Sequence, residues 1–178
     1  KRRLASINVM HKYKGHYLDT KHPIIVENLL GIKRQIGVHQ KAKKPLLFNE
    51  LKILINAINE SLESKFKKLR DKTVILIGFS GGFRRSELVA ITKNDIEFVK
   101  EGVKIFVKKS KTDQSGEGMV KAIPSFKNIE YCPVDHLKNW MNENKNNFVF
   151  PISDKNVALI IKKYAQIAGL DEKKYAGH

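Results

Sequence analysis

Residues Gly78 to Leu88 read GFSGGFRRSEL, a glycine pair set between an apolar run and two adjacent arginines, directly before a second helical pattern. The run upstream, Thr73 to Phe79 (TVILIGF), is apolar enough to be core. Paired glycines end helices because they tolerate positive φ without a Cβ penalty. The spacing therefore predicts a helix from about Ser64 to Phe79 that stops at Gly81-Gly82, and a short helix over Arg85 to Thr92. An arginine that emerges beside a core must find an anion or a carboxylate. Two partners fit: Glu87, three residues beyond Arg84, and a phosphate of a ligand.

Outward from this turn the periodicity supplies the other elements. Leu51, Ile53, Leu54, Ile55 and Ile58 make an amphipathic helix with Asn49 as its expected cap. Past Thr92 the period changes from helical to alternating. Ile96 and Phe98, then Val103, Ile105 and Val107, flank Lys100-Glu101-Gly102 as a hairpin would. The segment KSKTDQSGEG, Lys109 to Gly118, is polar and glycine-bearing, a loop leading to a third strand near Val120 to Ile123. Pro133 is suited to open a helix through Trp140, and Ser153 to cap another over Lys155 to Ala168 that Gly169 ends. The expected fold class is mainly α with a small three-stranded antiparallel sheet.

Toward the N-terminus the composition shifts. Residues 1–45 carry eleven Lys and Arg against Asp19 and Glu27. Leu4, Ile7, Val9, Met10 and Tyr13 approximate one helical face, and Ile24, Ile25, Leu29, Leu30, Ile32 and Ile36 another after the break at His22-Pro23. The stretch HQKAKKP, His39 to Pro45, has no apolar period and reads as an extended linker. The domain boundary is expected there, dividing 1–45 from 46–178.

For the whole chain, 34 Lys and Arg against 18 Asp and Glu give +16, which biases the partner toward a polyanion, nucleic acid first. A 42% hydrophobic content argues against disorder. No apolar stretch approaches the roughly 20 residues that span a bilayer, and no signal peptide pattern is present, so no membrane is expected and the location expected is cytoplasmic. Cys132 is the only cysteine, which excludes a disulfide framework and a cysteine zinc cluster. His11, His16 and His22 come without an HExxH pattern, so no metal is assigned, and no other cofactor. The chain begins at Lys1 without a methionine and closes on Gly177-His178, and both ends are expected to be cut.

Three features stand apart from scaffold: the Gly82 to Leu88 turn, the lysine of Ser110-Lys111-Thr112-Asp113, and Gly177-His178. Taken singly, Arg-x-x-Glu at helical spacing is a surface salt bridge and Lys111 a solvated loop lysine. A phosphate-binding P-loop is excluded, since GxxxxGK[ST] is absent. Their order carries more. Helix, GFRRSEL, a three-stranded sheet with an SKTD loop, two helices and then GH resembles the catalytic domain of tyrosine recombinases, the phage integrase family. Residues 46–178 resemble an incomplete form of that domain, and the basic helices with their linker, 1–45, resemble the end of the family's core-binding domain.

The resemblance implies that Arg84 is the first catalytic arginine, Glu87 its structural companion, Lys111 the hairpin lysine and His178 the first residue of a His-x-x-Arg motif. It implies duplex DNA as partner, held in part by Lys41, Lys43, Lys44, Arg85 and Lys109, a homo-oligomer on DNA in the full-length family, and strand transfer through a 3′-phosphotyrosyl ester without metal or nucleotide. In the family, lysine protonates the departing 5′ oxygen and histidine supports proton transfer at the tyrosine. The family's second arginine and its nucleophilic tyrosine have no match here, so the chain alone is expected not to cleave DNA. Tyr164 reads as core, Tyr131 precedes the Cys132-Pro133 turn, and Tyr175 is too close to His178. Two other readings compete: a noncatalytic DNA-binding or architectural protein on the same scaffold, and a basic RNA-binding protein, which requires no such ordered set.

Overall fold

A computed structural model describes residues 2–37, 45–108 and 117–175. The chain divides into two compact units, Lys1–Ala42 and Lys43–His178.

The first unit is a pair of helices, α1 (Arg2–Tyr13) and α2 (Pro23–Ile36). His22 caps α2: its Nδ1 accepts the Ile24 N–H at 3.3 Å, and Pro23 occupies the first helical position, where an N–H would have no partner. The two apolar faces are more open than their periodicity predicts. Leu4, Ile25 and Leu29 are half-buried, whereas Ile7, Met10, Tyr13, Ile24 and Ile36 are exposed. Two helices offer each other one stripe apiece, too little to cover both faces.

The second unit is built around its central helix. In order it comprises α3 (Phe48–Glu60), α4 (Lys65–Ser80), α5 (Arg85–Ala90), strands β1 (Ile96–Val99), β2 (Gly102–Val107) and β3 (Met119–Pro124), then α6 (Pro133–Glu143) and α7 (Asp154–Ile167). Val74 and Ile77 of α4 join the inward residues of the sheet, Val103, Ile105, Val107 and Ile123, with Leu137, Trp140 and Phe150. Ile75 and Leu76 face the other way, into Leu51, Leu54, Ile55 and Ile58 of α3 and Ile160 and Tyr164 of α7. A helix covered on both sides needs no polar stripe, which is why TVILIGF shows no amphipathic period.

The strands form one antiparallel sheet in the order β1-β2-β3, with Val103 opposite both Phe98 and Ile123, and Ile105 opposite Lys121. Ser64 and Ser153 cap α4 and α7, each accepting an N–H three residues on. The expected Asn49 cap is not found. Helix α3 begins at Phe48, with Leu47 as its cap residue, and Glu50 reaches back to accept the Leu47 N–H at 2.9 Å. A glutamate at the third helical position supplies the capping contact that the sequence reading sought from Asn49.

Buried polar groups tie the elements together. The Trp140 indole donates to the Val149 carbonyl at 2.6 Å, and the Asn144 amide donates to Phe148 and Val149, pinning the loop between α6 and α7. Tyr164 donates to Asp71 Oδ2 at 2.9 Å, and Arg70 pairs with Asp71 Oδ1 at 2.8 Å, joining α7 to α4. Below the sheet, Asp95 takes the Thr92 hydroxyl at 2.6 Å, the Thr92 N–H at 2.9 Å and the Lys108 ammonium at 2.8 Å. Burial pushes the Asp95 carboxyl up, but the hydrogen bonds from Lys108 and Thr92 outweigh it and hold the group below its ordinary value.

Replacing Tyr164→Phe removes a buried bond to a charged acceptor while leaving Asp71 paired with Arg70. Stability should fall by about 1.5–3 kcal/mol in urea unfolding, and a loss under about 0.5 kcal/mol would contradict the role given to this bond. Asp95 supplies a pH signature. Its folded value lies below the ordinary one, so its contribution is full above the ordinary carboxylate range and lost as pH falls through the folded value. Asp95→Asn should therefore flatten the decline of unfolding free energy on the acid side, measured against the parent chain.

Candidate active site

The site grows out of the way α4 ends. The Phe83 N–H donates to the Gly78 carbonyl at 3.2 Å and the Gly82 N–H to Phe79 at 3.4 Å, the paired bonds of a Schellman motif. Gly82 takes φ +55°, the left-handed conformation the motif needs. Gly81 is required for space: a Cβ there would stand 2.2 Å from the Phe83 ring. The turn drives Phe83 into the core, 3% exposed, and the next residue out is Arg84.

Arg84 is extended, with φ −68° and ψ 149°, and serves as the cap residue of α5. Glu87, at the third helical position, grips it twice. Its Oε2 accepts the Arg84 backbone N–H at 3.0 Å and its Oε1 accepts Arg84 Nη1 at 2.7 Å. The Glu87 side chain is 3% exposed and that of Arg84 41%. A buried carboxylate thus holds a guanidinium whose far side stands at the surface. Such a fork matches the geometry of a second oxyanion, and carboxylate bracing removes the rotamer freedom that binding would otherwise have to freeze.

A third residue completes the cluster. Lys121 on β3 brings its ammonium to 3.3 Å from Glu87 Oε2 and 3.0 Å from the Gly82 carbonyl, and sits 4.3 Å from the centroid of the Phe83 ring. Sequence reasoning missed it, although a signal existed. Opposite Ile105 and two residues from Ile123, position 121 belongs to the inward face of the sheet, where a lysine is out of pattern.

Of the other predicted site residues, Arg85 is half-buried beside Arg84 on the first turn of α5, and no ion pair of its side chain occurs among the described residues. Lys41, Lys43, Lys44, Lys109, Lys111 and His178 lie outside the described residues. The strands that precede and follow Lys111 in sequence are described, with Val107 of β2 opposite Met119 of β3.

The tyrosines of the second unit are structural. Tyr164 is fully buried against Asp71, and Tyr175 donates to Glu50 at 2.9 Å. Tyr131 lies in a 3-10 turn beside Asn56. Burial raises the phenols of Tyr131 and Tyr164, the first helped by Glu130 and the second by Asp71, so neither is disposed to ionise. Among the described residues no group of three His, Cys, Asp or Glu is arranged to hold a metal ion, and no helix is long and apolar enough to cross a membrane.

Comparisons with known proteins converge on one family. Residues 44–178 match the phage integrase family. An integrase/recombinase xerD homolog of Selenomonas ruminantium is 38% identical over 99% of this chain, which spans 56% of that relative. Tyrosine recombinase XerC of Caldanaerobacter subterraneus subsp. tengcongensis is 32% identical over 75% of this chain and 36% of its own length. In fold, the chain is similar to the XerH site-specific recombinase bound to its difH substrate in a pre-cleavage complex, with TM-score 0.60, 18% identity, and coverage of 98% of this chain and 55% of that one. The XerA recombinase gives TM-score 0.56 at 17% identity, over 96% of this chain and 61% of that one. The chain therefore spans little more than half the length of several proteins it resembles. With its glycine turn, its braced Arg-x-x-Glu and a three-stranded sheet following in the family's order, this chain belongs to the phage integrase family of tyrosine recombinases.

Proposed function

We propose that this chain is part of a site-specific recombinase, in which it binds duplex DNA and presents Arg84 to the backbone phosphate at which strands are exchanged. The observation that carries the reading is the Arg84–Glu87 pair: a guanidinium fixed by a buried carboxylate at the end of a rigid turn. As a phosphodiester becomes pentacoordinate, charge accumulates on its two non-bridging oxygens, and a preorganised fork stabilises that charge without reorganising. Arg85 and the linker lysines Lys41, Lys43 and Lys44, with Lys109, supply backbone contacts in this reading. Lys111 acts as general acid toward the 5′ oxygen and His178 assists proton transfer, roles taken from the family resemblance.

The basic helices and linker, residues 1–45, act in this proposal as the end of a core-binding domain that contacts the duplex. The chain's relatives include a recombinase seen bound to its DNA substrate, and further copies of the protein on one DNA are the partners the family suggests. The cytoplasm is the compartment that suits such a substrate. An architectural role without chemistry has no observation in its favour, since DNA bending needs no braced arginine.

The covalent step needs an accessible tyrosine. Tyr131, Tyr164 and Tyr175 are committed to the core, and the exposed Tyr13 and Tyr17 fall outside residues 44–178 that match the family, so in this proposal the 178 residues bind DNA without forming the phosphotyrosyl ester themselves.

Binding to duplex DNA should weaken steeply with salt, at a log-log slope of about −0.9 for each phosphate neutralised, and Arg84→Ala should make the slope shallower by about one unit. A flat salt response would oppose the proposal. Incubation with a nicked duplex should leave no protein–DNA band that survives SDS; a band mapping to any of the five tyrosines would overturn the reading that none of them is the nucleophile.

A further inference from the structure

The Arg84–Glu87 pair would satisfy itself on local geometry alone, yet a lysine from a distant strand is inserted beside it. The Lys121 side chain is only 16% exposed and lies on the sheet face that carries Ile105 and Ile123. A methionine or leucine would fill that place without desolvating an ammonium. A buried ion pair is a poor device for stability, because the desolvation of both charges offsets most of their attraction. The lysine is better explained by what it fixes.

Its three contacts fall on three consecutive parts of the same device. The Gly82 carbonyl belongs to the left-handed turn, the Phe83 ring to the anchor that follows, and Glu87 Oε2 to the carboxylate that holds Arg84. The ammonium has three N–H donors, and these directions use them. Lys121 therefore stands behind Arg84 and not in front of it. We propose that Lys121 is a positioning residue: it clamps the Gly82 turn to the Glu87 carboxylate and thereby holds the Arg84 guanidinium at a single aim. This rests on the reading that Arg84 receives a DNA phosphate.

Two consequences follow. Among the described residues Glu87 faces two cations, so the cluster of Arg84, Glu87 and Lys121 carries a formal charge of about +1, the polarity a phosphate diester requires. In addition, Lys121 belongs to β3, the strand that follows the Lys111 loop, so the clamp ties the hairpin to the turn that bears Arg84. The arginine and the strand carrying the loop's far end are held in mutual register by one side chain.

The test uses the 178-residue chain with 15N-labelled arginine, the Arg84 signals being assigned by their loss in Arg84→Lys. In the parent chain, rotation about the Arg84 guanidinium bonds should be slow, as read from exchange between the 15Nη signals. Lys121→Met should accelerate it by about tenfold or more, and Lys121→Arg should restore it to within about twofold of the parent rate. Lys121→Gln, which can still donate to the Gly82 carbonyl but lacks the charge, should fall between them and gives a second variant should Lys121→Met fail to fold. Parent-like rotation in folded Lys121→Met or Lys121→Gln would overturn the proposal, whatever the change in melting temperature. The second arm adds a duplex of about 20 base pairs, with affinity followed by anisotropy. The duplex should displace the Arg84 signal in the parent and much less in Lys121→Met, while overall affinity changes by less than about threefold, because most contacts to DNA lie elsewhere. If the duplex leaves Arg84 unmoved in the parent, the phosphate reading fails, and the rotation rates alone still decide the clamp.

Discussion

A carboxylate with 3% of its side chain in contact with solvent cannot stay ionised without partners, and Glu87 has them arranged on both oxygens. One oxygen takes the Arg84 guanidinium, the other the Arg84 backbone N–H and the Lys121 ammonium. The rest of the second unit serves this geometry. Helix α4 is buried on both sides, which fixes where it ends. The Schellman turn at Gly82 then sends Phe83 inward, and with the ring seated, Arg84 has one direction in which to start. Position is propagated from core to surface through rigid steps, each closed by a hydrogen bond or a packed ring.

Such an arrangement separates two properties that arginine usually confounds. Exposure gives a guanidinium access to a ligand but leaves it many rotamers, whereas burial fixes it and removes the access. At 41% exposure, with Nη1 held at 2.7 Å, Arg84 keeps an outward edge while its stem and backbone are constrained. A ligand phosphate meeting it would pay little ordering entropy, and the low dielectric behind Glu87 strengthens the bond that enforces the constraint.

Local physics made most of the fold legible from residues alone. The unstriped TVILIGF run, the glycine pair, the alternation through Val103, Ile105 and Val107, Pro133 and the cap Ser153 are each decided by neighbours within a turn or two. The failures have a common cause in contacts that short windows do not contain. Asn49 has the chemistry of a cap, but α3 starts one residue before it, at Phe48, and Glu50 reaches back to Leu47 instead. Lys121 acquires its meaning only when β3 pairs with β2 and brings position 121 opposite Ile105, 34 residues from the glutamate it touches. The apolar residues of α1 and α2 have the right period for burial, yet period says nothing about whether a covering element is present. At the site, Arg84 and Glu87 were legible as a pair because i and i+3 are neighbours on any helix. Lys111 and His178 are expectations from order along the chain, through the family resemblance, and lie outside the described residues.

A wider rule links the acidic interior to the basic exterior. Among the described residues, the buried acidic side chains are Asp71, Glu87 and Asp95, and each bonds a cation more exposed than itself: Arg70, Arg84 and Lys108. None of the three can be explained as solvation of the acid, which a position at the surface would provide without cost. What each provides is a fixed origin for a positive charge. Arg70 is held over the α4–α7 seam, Arg84 at the end of the glycine turn, and Lys108 at the last described residue before the Lys111 loop. In a chain of net charge +16, repulsion among cations would otherwise spread them toward solvent and average their positions. Three interior carboxylates counter that tendency at chosen points, so that part of the positive surface is held in place by the core beneath it.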